Sequence, residues 1–125
     1  MKSQAIVAYG APLEEVTSPI PTPTGTEVVV KISHSGVCHS DVHLQDGHVD
    51  IGDGDKIDWS KGRTLPHTLG HEIEGTLSAV GPDAQALLEG RAVGQRFVVF
   101  PWIGCGECAT CKRDQEHICS KPRQI

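Results

Sequence analysis

Aromatic side chains are scarce in this chain of 125 residues: two tryptophans, two phenylalanines and one tyrosine make up 4% of it, and there is a single methionine. A core built mainly from large side chains is thereby excluded, although 38% hydrophobic content supports a modest one, enough for one domain or a domain with an appended lobe. Long apolar runs are also missing. No stretch approaches membrane-spanning length, and the opening MKSQAIVAYG has one lysine and no apolar block of signal-peptide size, so a reducing cytoplasm is the expected location. Positive charge is in deficit, with eleven basic residues against sixteen acidic ones and a net charge of −5, which argues against nucleic acid or an anionic membrane as partner. Repeats and low-complexity tracts are absent. What is plentiful is ligand chemistry, with five cysteines and seven histidines.

Four of those cysteines, Cys105, Cys108, Cys111 and Cys119, are spaced C-x2-C-x2-C-x7-C in a glycine-rich, charged segment. Two-residue gaps let successive sulfurs turn towards one point, and a longer loop returns the fourth to complete a tetrahedron about a zinc ion. Four thiolates leave no open position, so such a zinc is structural. It would hold together a lobe over residues 101–122 that has few apolar residues of its own. Three alternatives stand beside this reading. Two disulfides would join awkward neighbours three residues apart. An iron-sulfur cluster uses a similar run, but here the proline after the fourth cysteine is displaced to Pro122 and no second run exists. Gly104 to Ala109 matches a dinucleotide-binding fingerprint in letters only, because cysteines occupy its turn and the strand-turn-helix context is missing.

Short strands broken by glycine and proline predict a mainly β chain, and favour a small barrel over a parallel βαβ layout. The expected strands are Lys2 to Tyr9, Glu27 to Ile32, Thr76 to Val80 and Gly94 to Phe100, with prolines at 19, 21 and 23 forming an extended linker. In the second of these Val28, Val30 and Ile32 share one face, which is expected to be buried. Residues 47–65 read as a long Gly/Asp-rich loop anchored by Trp59. Asp50, Asp53 and Asp55 do not meet the offsets of a calcium loop.

A second cluster gathers Cys38, His39, Ser40, Asp41 and His43 within six residues, at the start of a short helical stretch that favours a thiolate. The alternative is an inert buried cysteine beside surface histidines. Further on, His71 and Glu72 fall at a loop-to-strand junction.

Taken in order, GVCHSDVH, then GHE at residues 70–72, then Val93-Gly94-Gln95-Arg96-Phe97, then GCGECATC followed by a fourth cysteine, resemble the zinc-containing medium-chain alcohol dehydrogenases. The resemblance covers nearly the whole chain. It implies a GroES-like, partly open β-barrel with an appended four-cysteine zinc lobe, residues 1–125 being the N-terminal part of the catalytic domain, with a Rossmann cofactor domain outside this chain.

Several roles follow from the resemblance alone. Cys38 and His71 match two ligands of a catalytic zinc whose third ligand lies beyond Ile125, and Glu72 matches the adjacent carboxylate able to approach the metal. Cys105, Cys108, Cys111 and Cys119 match the structural-zinc set. Ser40 stands where a hydroxyl accepts the alcohol proton, His43 where a histidine passes it to solvent, and His39 where a basic group meets the cofactor pyrophosphate. Asp41 matches an acid that orients a ligating histidine. The implied cofactors are zinc, structural and catalytic, with NAD or NADP, and the implied reaction is oxidation of a small alcohol to an aldehyde or ketone in a homo-oligomer. Gln95 departs from the family's acid in the Gly-Asp-Arg-Val turn, and the 47–65 loop is longer than in many members. A stand-alone, non-catalytic zinc-binding scaffold of the same fold is the competing reading.

Overall fold

The computed structural model describes residues 1–124. The architecture is mainly β, in small open sheets. Strands β1 (Lys2–Ile6), β2 (Glu14–Thr17) and β6 (His67–Thr68) form one sheet in the order β2-β1-β6, all antiparallel. Strands β3 (Val28–Gly36), β7 (Glu72–Val80) and β8 (Arg96–Val99) form a second, antiparallel sheet in the order β3-β7-β8. Between them in sequence lie helix α1 (His39–Asp46) and a hairpin of β4 (His48–Gly52) and β5 (Asp55–Asp58). Strands β9 (Trp102–Ile103) and β10 (Arg123–Gln124) pair across the base of the cysteine lobe and clamp both its ends. No helix among the described residues is long and apolar enough to cross a membrane.

Residues 47–65 are more ordered than the loop expected of them. Asp53 and Gly54 both have positive φ, at 53° and 85°, and they join β4 to β5. An Asp-Gly pair accepts this backbone, whose twist matches that of the flanking strands, and that is why a hairpin forms here.

The expected burial of one face of β3 is not observed: Val28 is 44% and Ile32 55% exposed. The strand is the edge of its sheet, and among the described residues no element packs over that face. Val98 and Phe100 are likewise 82% and 64% exposed. The buried apolar set is correspondingly small: Ala5, Ile6, Leu77 and Ala84, with Cys111 and Cys119 in the lobe. Total accessible surface is 8822 Å². A folded monomer of this mass ordinarily exposes about 6,500 Å², so this fold leaves apolar sheet surface uncovered.

Two polar arrangements hold the second sheet together. Gln95 accepts from the backbone N–H of Ala92 at 2.9 Å, and so closes the turn before β8 with an amide in place of a carboxylate. Glu74 on β7 accepts from Arg96 Nε on β8 at 2.6 Å and from His34 Nδ1 on β3 at 3.0 Å, tying all three strands. Arg96, and then His34, hold the Glu74 carboxyl down from its ordinary 4.5 to about 2. Because the folded value lies below the unfolded one, the stabilisation is present in full above the ordinary carboxylate range and is lost as pH falls from about 4.5 towards 2. Urea midpoints measured down this range should therefore drop more steeply in the wild type than in Glu74→Gln. Superimposable curves would remove Glu74 from the account.

Candidate metal centres and the cavity beside them

The cysteine lobe is a chain segment wrapped around sulfur. Short 3₁₀ turns at Cys111–Arg113 and Glu116–Ile118 bring back the third and fourth cysteines, and all four Sγ atoms lie within 4.8 Å of one another. Cys108 Sγ is 3.4 Å from Cys111 Sγ and 3.9 Å from Cys119 Sγ, and Cys105 Sγ is 3.9 Å from Cys111 Sγ. Four sulfurs about 2.3 Å from one zinc would stand about 3.8 Å apart, so the donor set fits that ion. Backbone N–H groups already point at the sulfurs: Cys105 and Lys121 donate to Cys119 Sγ, and Cys108 donates to Cys105 Sγ. The Thr110 hydroxyl first, then N–H and S–H donors from Cys111, pull the Cys108 thiol down to about 5. Burial first, then the neighbouring Cys108, pushes Cys111 up to about 12. Thiolate is thus favoured at Cys108 and, through backbone N–H groups of Glu107 and Cys108, at Cys105, while Cys111 holds a proton that a metal must displace. Apolar side chains do little for this lobe, since Ile103 and Ile118 are 38% and 56% exposed.

The second cluster is built by the pairing of β3 with β7. Their register sets Gly36 opposite Glu72, so the residues just after β3 and just before β7 meet. Cys38 Sγ, a ring nitrogen of His71 and a carboxylate oxygen of Glu72 lie within 4.8 Å of one another. Glycine is required at two points here. A Cβ on Gly36 would collide with the Glu72 carboxylate, and Gly70, at φ +105°, turns the chain so that His71 faces Cys38.

Asp41 organises the group. It is the one buried charged residue among those described, 6% exposed. Its carboxylate accepts from the N–H of Cys38 at 3.0 Å and of Gly70 at 3.4 Å, and lies 3.3 Å from His71 Nδ1. With Nδ1–H directed to Asp41, Nε2 of His71 keeps its lone pair, accepts the Ser40 hydroxyl at 3.3 Å and is the atom available to a metal. Ser40 donors lower the Cys38 thiol, assisted by His71. Burial opposes the charge on His71, but Cys38 and Asp41 outweigh it and raise the imidazole. The Cys38 thiolate, neutral Nε2 of His71 and the Glu72 carboxylate together suit a zinc ion, and these three donors leave one position of a tetrahedral shell open.

His43 is not hydrogen-bonded to Ser40. Its ring sits 4.4 Å from that of His39 and meets Trp59 edge-on at 5.9 Å. His39 lies exposed in the first turn of α1.

Ser40, Asp41 and His71 open onto a cavity of about 430 Å³. Its other walls include Trp59, Arg63, His67 and Trp102, none of them singled out by the sequence motifs. Trp59 is presented by the end of the β4–β5 hairpin, through a backbone hydrogen bond to Gly47. His67 is fixed by β6, which pairs with β1 beside buried Ala5 and Ile6. The Trp102 indole N–H is buried without an acceptor among the described residues.

A mainly β, GroES-like domain with two cysteine-containing groups of side chains that could hold a metal is the class that the fold and sites define. Residues 24–125 match the alcohol dehydrogenase GroES-like domain family, and the chain belongs to it. The chain is 40% identical over 125 residues to an NAD-dependent alcohol dehydrogenase of Sulfurisphaera tokodaii, all of this chain aligning with 34% of that protein. The alcohol dehydrogenase of Aeropyrum pernix superposes with a TM-score of 0.81 at 27% identity, over 100% of this chain and 33% of that one. An alcohol dehydrogenase of Escherichia coli CFT073 solved with NADH superposes at 0.77 with 30% identity, over 100% and 32%. The chain thus spans about a third of the length of these relatives.

Proposed function

We propose that residues 1–125 form the N-terminal part of the catalytic domain, with its zinc lobe at 101–122, in a zinc-dependent oxidoreductase that converts an alcohol to an aldehyde or ketone with NAD or NADP. The observation that carries this reading is the convergence of Cys38, His71 and Glu72, with His71 also lining, beside Ser40, the neighbouring cavity. Cys105, Cys108, Cys111 and Cys119 would hold the structural zinc; Cys38 and His71, with Glu72 or a donor from further sequence, would hold the catalytic one. A zinc ion held there would supply positive charge beside the substrate oxygen.

The chain's own residues do the rest. Ser40 Oγ, in the cavity lining, would take the hydroxyl proton of the alcohol as it gives up its own towards His43 and solvent. His43 carries the proton outward, with Trp59 and His39 bracing its ring. Asp41 fixes the His71 tautomer and ties it to the Cys38 backbone. His39, exposed in the first turn of α1, is positioned to meet a cofactor phosphate. A nicotinamide-binding domain contributed by further sequence would supply the hydride acceptor and cover the bare faces of β3 and β8.

A scaffold function would use the lobe alone and leaves the grouping of Cys38, Ser40, Asp41 and His71 without a purpose. The two readings separate on the pair Cys38→Ser with His71→Ala. In a polypeptide joining this chain to its cofactor domain, that double variant should lose one bound zinc and all dehydrogenase turnover while its lobe zinc remains. Unchanged turnover would end the catalytic reading.

A further inference from the structure

We propose that the cavity beside Ser40 and His71 selects substrates carrying an anionic group, a carboxylate or a phosphate, at the end away from the reacting hydroxyl, and that Arg63 is the residue that receives it. The inference deepens the dehydrogenase reading and rests on it. Arg63 is half-buried in the cavity wall. Its Nε–H is given to the backbone carbonyl of Trp59 at 3.2 Å, and among the described residues no carboxylate lies within 4 Å of its guanidinium.

The acids that could neutralise it are engaged elsewhere. Asp41, the one acid in the cavity lining, is shared between His71 and the N–H groups of Cys38 and Gly70. Asp58, near the outer side of Arg63, accepts from Ser60 and pairs with Lys61. A half-buried guanidinium with no counter-ion, in a cavity also lined by Trp59, Leu69 and Trp102, offers its remaining N–H groups as a planar fork suited to a carboxylate or phosphate. His67, on the same wall, is kept neutral by burial first and by Arg63 second, so it adds a hydrogen-bonding group without a second charge. About 430 Å³ accommodates a chain of several carbons between the two ends. A neutral alcohol of that size would fill the cavity and leave the guanidinium unpaired.

The chain's two tryptophans, Trp59 and Trp102, both line this cavity, so intrinsic fluorescence reports its occupancy. The zinc-loaded protein is titrated with 4-hydroxybutanoate, with 4-hydroxybutyl phosphate and with butane-1,4-diol. One of the anions should bind at least about tenfold more tightly than the diol, as one charge-assisted pair provides, and the tighter anion identifies the group selected. Arg63→Gln should abolish the preference with circular dichroism unchanged, while Arg63→Lys should retain part of it. Equal binding of anion and diol, or no saturable response to any of the three, overturns the proposal. So does a preference that survives in Arg63→Gln, because the anion would then be sitting on the metal. Failure of the dehydrogenase reading shows itself separately, as absence of turnover with every alcohol while the Arg63-dependent anion preference persists.

Discussion

Cys108→Ser should release the lobe zinc and open residues 101–122 to protease, with little change elsewhere in the chain. The lobe has no apolar interior to fall back on: what it buries is Cys111 and Cys119, while Ile103 and Ile118 face solvent. Its backbone hydrogen bonds are short-range turns around Cys108, Cys111 and Glu116, and its base is a ladder of two residues on each side. Such a segment draws its order from metal binding, worth on the order of 10 kcal/mol in small zinc modules. Cys108 is the most telling position to change. It stands within 3.9 Å of two other sulfurs and is the thiol held lowest, at about 5, by Thr110 and Cys111. Cleavage in the lobe should accelerate on the order of a hundredfold or more. An unchanged digestion pattern would mean that contacts other than the metal order the lobe.

Ser40→Ala is the second large effect. In a polypeptide that joins this chain to its cofactor domain, kcat for alcohol oxidation should fall by roughly a hundredfold to ten-thousandfold, the range expected when a positioned proton acceptor is removed. Both zinc ions should stay bound, because Ser40 is not one of the Cys38, His71 and Glu72 group that could hold the metal. His43→Gln should cost less, since solvent can take the proton from Ser40 directly. Wild-type turnover in Ser40→Ala would refute the proton-acceptor role.

The parts that were legible in the sequence are those fixed by spacing. Four cysteines at two- and seven-residue gaps can meet at one point however the rest of the chain is folded, and they do meet. Cys38 and His71 are far apart in sequence, but each adjoins a strand with a clear pattern, and the antiparallel pairing of β3 with β7 brings those strand ends together. The β4–β5 hairpin is missed in the loop reading of residues 47–65, although Asp53-Gly54 between Val49, Ile51 and Ile57 carries its turn signal. It was obscured because the surrounding aspartates suggest a polar loop. The burial of β3 was not legible, since alternation shows which residues share a face and not whether anything covers it. Arg63, His67, Trp59 and Trp102 carry no local signal. They line one cavity because the hairpin, β6 and the strand leading into the lobe converge there, and that is a property of the assembled fold.

The central claim is that this chain carries two unlike zinc sites, one closed by four thiolates and one open beside Ser40. The most direct test is metal stoichiometry during a chelator titration of the zinc-loaded, mass-verified protein, with protease sensitivity of residues 101–122 followed in parallel. The account predicts two steps: one zinc lost early with the lobe intact and absent from Cys38→Ser, then a second lost late as the lobe opens. Two zincs leaving together with equal affinity, or a lobe that stays closed after both have gone, would contradict it.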